Sequence, residues 1–358
     1  MCCVTLPVRL AVTRQDLAAL TNLITQGLRN PAEFYSSIGP TLNELTFGLL
    51  GSSFNPEKDI NDLTGKVVFV TGANTGLGKE TVLQLARHRP SVIYLAARNK
   101  TKAHNAIASI KENLSSPVDI RYMPLDLASF KSIRAAAEKF TSECDRLDIL
   151  VLNAGTMGNP PGTTEAGHEI QFGTNHVGHF LLTKLLLPTL LKTAASATPV
   201  PDVRVVTVSS VASQISPPFE VMTSTSALLA ESTWHRYAAS KAANIAFAAE
   251  LARRYPQILS VSVHPGVVAS DLYETSSESR AFLRYAKAVL APLVMRTVRT
   301  GALNQLWAAG AKRELLTNGA YYTPVGVIQK NNKHATDVEL GKKLWEWTDA
   351  EVSEKQGS

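Results

Sequence analysis

Three cysteines in 358 residues, two of them adjacent at Cys2 and Cys3, are too few for a disulfide framework. No group of cysteines and histidines has metal-ligand spacing, so no metal is expected. The scarcity points to a reducing compartment, the cytoplasm. Long apolar runs are missing as well. Phe180–Leu191 is broken by Lys184 and Pro188, and Val289–Met295 by Pro292, so neither reaches the about 18 residues of a membrane-crossing helix. Lysine and arginine exceed the acids by only six, and they are scattered rather than clustered. With no nucleic-acid motif present, nucleic acid is not an expected partner. Internal repeats are absent, and 45% hydrophobic residues suit a globular chain with a substantial core.

What is present begins with a strand. Lys66–Val70 is apolar, β-branched and too short for a helix. It runs into the turn Thr71-Gly72-Ala73-Asn74-Thr75-Gly76-Leu77-Gly78, and the residues from Lys79 are apolar at helical spacing. A strand, a glycine turn and a helix form the context in which a dinucleotide is held. Gly72 permits the tight turn, Gly76 lets backbone approach a pyrophosphate, and Gly78 allows close helix packing. The helix start then offers amides to the anion. Further on, Tyr237 and Lys241 stand four residues apart in the alanine-rich run from Tyr237 to Ala249, which places a phenol and an ammonium on one helix face. A nearby cation favours the phenolate and brings this weak acid closer to neutral pH.

Strand-like segments recur at Ser91–Ala97, Asp119–Leu125, Ile149–Leu152, Val203–Ser209, Ser260–His264 and Gly319–Val325, alternating with helical ones. The expected fold is α/β: a single doubly wound Rossmann-type domain with a mostly parallel sheet, plus an N-terminal extension. Residues 1–60 are read as extension and linker, 61–348 as the dinucleotide-binding domain and 349–358 as a polar tail. Within the extension, Asp16–Leu28 reads as an accessory helix that packs on the domain or serves contacts in a homodimer. Arg9, Arg14 and Arg29 share the bias of a transit peptide, diluted by Glu33 and Glu44, and Cys2-Cys3 could take an acyl group. Organellar or membrane-surface association is thus the alternative to a cytoplasmic site.

The spacing T-G-x-x-x-G-x-G with Tyr-x-x-x-Lys resembles the short-chain dehydrogenase/reductase family. Matches follow in chain order: Asp126-Leu127, Asn153-Ala154-Gly155, Asn175 within Phe172–Phe180, Ser209-Ser210, and Pro265-Gly266-Val267-Val268 after His264. The pattern is similar to the branch of retinol dehydrogenase-like and protochlorophyllide reductase-like enzymes and to fungal secondary-metabolite reductases. The resemblance implies transfer of a hydride between a nicotinamide and a carbonyl or alcohol carbon. Tyr237 would exchange the proton, and Lys241 would tune it and hold the nicotinamide ribose. Ser210 would hydrogen-bond the substrate oxygen, and Asn175 would hold a water linking Lys241 to solvent. The cofactor would contact Gly72, Asn74, Thr75, Gly76, Leu77, Gly78, Asp126, Leu127, Asn153, Ala154, Gly155 and Pro265–Val268. His176, His179 and His264 are read as core or supporting residues.

Cofactor choice turns on Arg98, at the end of the second strand where an acid would bind the ribose 2′-hydroxyl. A guanidinium there suits the 2′-phosphate of NADP(H). The stretches Val211–Arg236 and Leu272–Pro292 are expected to wall the substrate, the first as a partial lid. They carry Ile215, Phe219, Val221, Met222, Leu228, Leu229, Trp234, Leu272, Tyr273, Phe282, Leu283 and Tyr285, which suit an apolar small-molecule carbonyl or alcohol. A secondary-metabolite ketone is the leading expectation, a retinoid, steroid or fatty aldehyde the second. A protein that senses NADP(H) without turnover is the reading from another class; the intact Ser210, Tyr237 and Lys241 weigh against it.

Overall fold

The computed structural model describes residues 53–196, 202–266, 268 and 297–354. The accessory helix expected over Asp16–Leu28, Val267, and the substrate-wall residues from Leu272 to Tyr285 lie outside the described residues.

Eight strands form one sheet: β1 Val67–Thr71, β2 Val92–Ala97, β3 Ile120–Pro124, β4 Ile149–Leu152, β5 Arg204–Val208, β6 Leu259–Val263, β7 Tyr321–Thr323 and β8 Val327–Ile328. Their spatial order is β3-β2-β1-β4-β5-β6-β7-β8, and every pairing is parallel except β7 with β8. The order reverses between β1 and β4, which opens a crevice at their carboxyl ends. Strands β1, β2, β4, β5 and β6 are buried along their whole length. That is why they read as continuous apolar runs: helices cover both faces.

The longer helices are α1 Gly76–Ala86, α2 Lys100–Glu112, α3 Phe130–Glu143, α4 Gly178–Ala194, α5 Thr233–Arg254, α6 Val298–Gly310 and α7 Val338–Glu354. Their apolar residues divide into two clusters, one for each face of the sheet. Helices α3, α4, α5 and α7 pack on one face; α1, α2 and α6 pack on the other. On the first face Phe140 sets its ring edge-on to Tyr94 at 4.9 Å and to Phe69 at 5.6 Å. Each such pair contributes about 0.5–1.5 kcal/mol beyond the burial itself. Every residue of α5 from Arg236 to Ala252 is buried, and its run of alanines lets the backbone lie close to β5 and β6. The segment presenting Tyr237 and Lys241 is thereby held on all sides.

Both ends of the expected domain differ from the sequence reading. Asn55 caps a short turn, Pro56–Asp59, by accepting from the Glu57 amide at 3.0 Å. Ile60 is then buried, and the Asn61 amide donates to the last carbonyl of α6, Gly310 O, at 2.8 Å. Phe54-Asn55-Pro56 is therefore a capped turn docked on the domain, not a free linker. At the other end α7 runs through residue 354, so the polar tail expected from 349 starts later. Its alternation hides an apolar face: Leu344, Thr348 and Val352 are buried, and the Trp345 ring stacks on Phe247 at 5.9 Å. The short antiparallel β8 was not anticipated.

Candidate active site

The glycine turn joins β1 to α1 at the crevice. Gly72 has φ +63°, and a Cβ there would lie 2.8 Å from Ala154 Cα. At Gly78 a Cβ would stand 2.5 Å from Gly72 O and 2.6 Å from Asn153 Nδ2. The turn can thus press against the segment that follows β4 only because both positions lack side chains. Thr75 occupies the cap of α1 without a side-chain hydrogen bond to the first turn, and that turn carries no acidic residue. Backbone amides at this helix start suit an anion. Asn74, Thr75, Gly76 and Leu77 are all partly exposed there.

Asn153-Ala154-Gly155 continues directly from β4. The amides of Asn153 and Ala154 both donate to Thr71 Oγ1 at 2.9 Å, and Asn153 Nδ2 donates to Thr71 O at 2.9 Å. Gln305 on α6 donates to Asn153 Oδ1 at 3.1 Å. Gly155 leaves the gap between two polar groups: a Cβ there would be 3.5 Å from both Asn175 Oδ1 and Lys241 Nζ.

Asn175 sits in a single π-turn, Gly173–Val177, between the short helix Ile170–Phe172 and α4. Such turns interrupt an α-helix where a side chain must be re-aimed. Its amide group is fully engaged. Asn175 Nδ2 donates to Thr156 O at 2.9 Å and to Ser240 Oγ at 3.0 Å, and Oδ1 accepts from the Thr156 amide at 2.8 Å. The side chain therefore ties the loop after β4 to α5.

On α5, the Lys241 ammonium donates to Val208 O at 3.0 Å and lies 5.6 Å from the centre of the Tyr237 ring. Burial pushes its pKa down to about 8. Ser209 and Ser210 part company at the end of β5. Ser209 is buried and donates to Lys241 O at 2.7 Å, a structural bond holding strand to helix. Ser210 is partly exposed and accepts from the Ala212 amide at 3.2 Å. Only the second hydroxyl faces outward from the sheet edge.

Around this centre, Arg98 is exposed immediately after β2. Asp126 follows β3, half-buried, with Oδ1 accepting from the Ala128 amide at 3.0 Å. Leu127 turns its side chain into the core against the start of α4. Beyond β6, Gly266 has φ +85°, and Val268 shares the space over Gly301 of α6 with Leu77 of the glycine turn. Pro265, Gly266 and Val268 therefore return to the same edge as Gly72–Gly78. Among the described residues no cluster of three metal-ligating side chains occurs, and no helix is long and apolar enough to cross a membrane.

The stretch between Ser210 and Tyr237 is more ordered than its composition suggested. It contains the 3-10 turn Val211–Ile215 and the helices Phe219–Met222 and Thr225–Ala230. Met222 and Leu228 are buried within the main core, and Phe219 and Val221 pack against it. His334 fixes the beginning of the stretch, its Nε2 lying 3.1 Å from Ser213 O. Met222 and Leu228 thus serve packing rather than a substrate wall. Sequence reading included Thr71 in the motif without giving it a role, and missed Gln305 as a support of the site, because a lone amide carries no spacing signal.

With this geometry in view, similarity to known proteins is specific. The family model "short chain dehydrogenase" matches residues 66–281. A short-chain dehydrogenase/reductase of Armillaria gallica is 41% identical over 300 residues, covering 83% of this chain and 93% of its own. Human retinol dehydrogenase 12 is 41% identical over 295 residues, 79% of this chain and 85% of that one. A crystal structure of an uncharacterized protein from Mycobacterium paratuberculosis superposes with TM-score 0.62 at 28% identity, covering 84% of this chain and 98% of that one. The chain belongs to the short-chain dehydrogenase/reductase family, in a branch with retinol dehydrogenases and fungal members.

Proposed function

We propose that this protein is an NADPH-dependent oxidoreductase that interconverts a carbonyl and an alcohol on a bulky apolar small molecule. The observation that carries the reading is the buried Lys241 ammonium beside the Tyr237 ring, at the strand edge where the glycine turn opens. Asn74–Gly78, Asn153–Gly155 and Pro265–Val268 would line a dinucleotide, and Asp126 would stand near its adenine end. Gly72 and Gly78 support this fit, since a side chain at either would push the turn away from the segment after β4. When bound, the nicotinamide supplies or accepts the hydride at the substrate carbon.

The remaining chemistry belongs to this chain. Tyr237 gives its phenolic proton to the oxygen that becomes an alkoxide, or removes it in the reverse direction. A cation near the phenol favours the phenolate, so Lys241 brings the donor closer to working pH. With its pKa at about 8, Lys241 keeps its charge at neutral pH. Ser210 accepts from Ala212 and has its own proton to donate to the substrate oxygen, where a fixed donor counts most as charge develops. Asn175, tied to Thr156 and Ser240, holds the loop after β4 at the distance that Lys241 requires.

Arg98 supports NADPH over NADH: it stands exposed where an acid would repel the 2′-phosphate. A relative named retinol dehydrogenase supports an apolar substrate, and with fungal short-chain dehydrogenases also among the relatives we assign the reaction to secondary-metabolite biosynthesis. The few cysteines support a cytoplasmic site. Spectrophotometric oxidation of NADPH against a panel of apolar ketones and aldehydes tests the reading, with turnover expected on bulky members. Failure to turn over any member, or equal use of NADH, would overturn it.

A further inference from the structure

His179, the second residue of α4, is 1% exposed and touches both halves of the site. Its Nδ1 lies 2.9 Å from the backbone carbonyl of Asn175, and its Nε2 lies 2.9 Å from Thr71 Oγ1. A carbonyl can only accept, so Nδ1 carries a proton. Burial, reinforced by the nearby Lys241 charge, pushes the imidazole pKa down to about 4, so the ring is neutral and holds that proton alone. Nε2 is then an acceptor, and the Thr71 hydroxyl donates to it at 2.9 Å in preference to Val151 O at 3.4 Å. The two remaining lone pairs of Thr71 Oγ1 accept the amides of Asn153 and Ala154. Donors and acceptors in this chain therefore follow one direction, from the amides below the dinucleotide cradle to the carbonyl of Asn175.

We propose that His179 is a positioning residue that couples the floor of the cofactor seat to Asn175 through this one-directional chain of hydrogen bonds. The inference rests on the functional reading given above and extends it to a residue outside the reacting groups. Its geometry gives it two separable ends. Near one end the Asn153–Gly155 segment is pinned against the glycine turn, where Gly72 packs on Ala154. At the other end the carbonyl of Asn175 is fixed within the π-turn, three positions before α4 begins at Gly178. The side chain of the same Asn175 reaches Ser240, next to Lys241.

Two substitutions divide the ends. In His179→Asn the amide nitrogen falls near the Nδ1 position, so the Asn175 end is kept and the Thr71 end is lost. In His179→Gln the amide oxygen falls near Nε2, so the Thr71 end is kept and the Asn175 end is lost. The expected result is a dissociation constant for NADPH about fivefold weaker in His179→Asn, with turnover at saturating NADPH retained. His179→Gln should show the opposite split, about fivefold slower turnover at saturation with NADPH affinity retained. Nitrogen-15 NMR of the unmodified protein should find His179 neutral and protonated on Nδ1. An Nε2-protonated or doubly protonated ring at neutral pH overturns the inference, as do variants that move affinity and turnover together. If either variant fails to fold, the tautomer alone decides. Loss of NADPH binding by the unmodified chain would overturn the functional reading as well; normal binding with the wrong tautomer overturns this inference alone.

Discussion

The glycine turn and the stretch between Ser210 and Tyr237 border the same crevice, yet they are built on opposite principles. The turn is shaped by what it lacks. Gly72 and Gly78 bring backbone to within contact of Ala154 and Asn153, and the partners offered to a ligand are main-chain amides. The stretch from Val211 to Arg236 is shaped by its side chains, with Met222 and Leu228 sunk in the core and Phe219 and Val221 leaning on it. The first region can change little without closing. The second can change its exposed members freely so long as its buried ones stay. On the proposed reading the dinucleotide seat rests on backbone geometry, its preference for NADPH on the Arg98 side chain, and substrate choice on replaceable side-chain volume.

The largest expected effect lies at neither region but between them. Tyr237→Phe should reduce turnover by about a hundredfold or more while leaving NADPH binding intact, since it removes a proton and almost no volume. Kinetics at saturating cofactor, with NADPH binding followed by fluorescence, check both halves. Gly78→Val comes next and breaks the backbone side of the comparison. The added carbons meet Gly72 O and Asn153 Nδ2, costing about 1–3 kcal/mol of stability and most NADPH affinity. Denaturant titration and binding would show it; unaltered binding would mean that the turn does not seat the dinucleotide.

Arg98→Asp should weaken NADPH about tenfold relative to NADH, as a charge-assisted contact turns repulsive. Parallel titrations with both cofactors decide it. A pH profile then reads Lys241. Its pKa of about 8 means the cation is present below that value and lost above it. Turnover in the reductive direction should therefore fall as pH rises through about 8, and a rate flat to pH 10 would separate Lys241 from the proton donor. The smallest effect sharpens the side-chain half of the comparison. Phe219→Ala with Leu229→Ala should shift preference between large and small ketones by about tenfold, leaving NADPH affinity unchanged. Met222→Ala should instead cost about 2–5 kcal/mol of stability without that shift, because Met222 is core.

Much of the fold is legible in the chain because strands buried on both faces must be apolar throughout, and β1, β2, β4, β5 and β6 are. The glycine turn was legible for the same reason: its geometry demands particular residues at particular spacings. Elsewhere the signals were local and ambiguous. Pro217 and Pro218 suit a turn, yet Pro218 sits at the N-cap position of the helix Phe219–Met222, and the Ser224 hydroxyl caps the one after it. The last residues of α7 read as a polar tail from 349 because the buried Val352 stands among charged and polar neighbours. Strand β8 has two residues and depends on β7 for its pairing, so no pattern of its own announces it. His179 looked like an ordinary core residue. Its polar contacts come from β1 and the preceding turn of its own chain, and only the folded arrangement joins them.

The turn at Pro56–Asp59 has a consequence for where this protein can be cut or rejoined. Asn61 satisfies the terminal carbonyl of α6, and Ile60 fills the hollow over Gly310, where a Cβ would come within 2.6 Å of it. The entry to the first strand is thus latched to a helix near the far end of the chain. A fusion or a circular permutation that opens the backbone ahead of Phe54 keeps that latch. A truncation that begins at Gly65 removes it, leaving Gly310 O without the Asn61 amide and the hollow beside Gly310 empty, on the helix whose Gln305 supports Asn153.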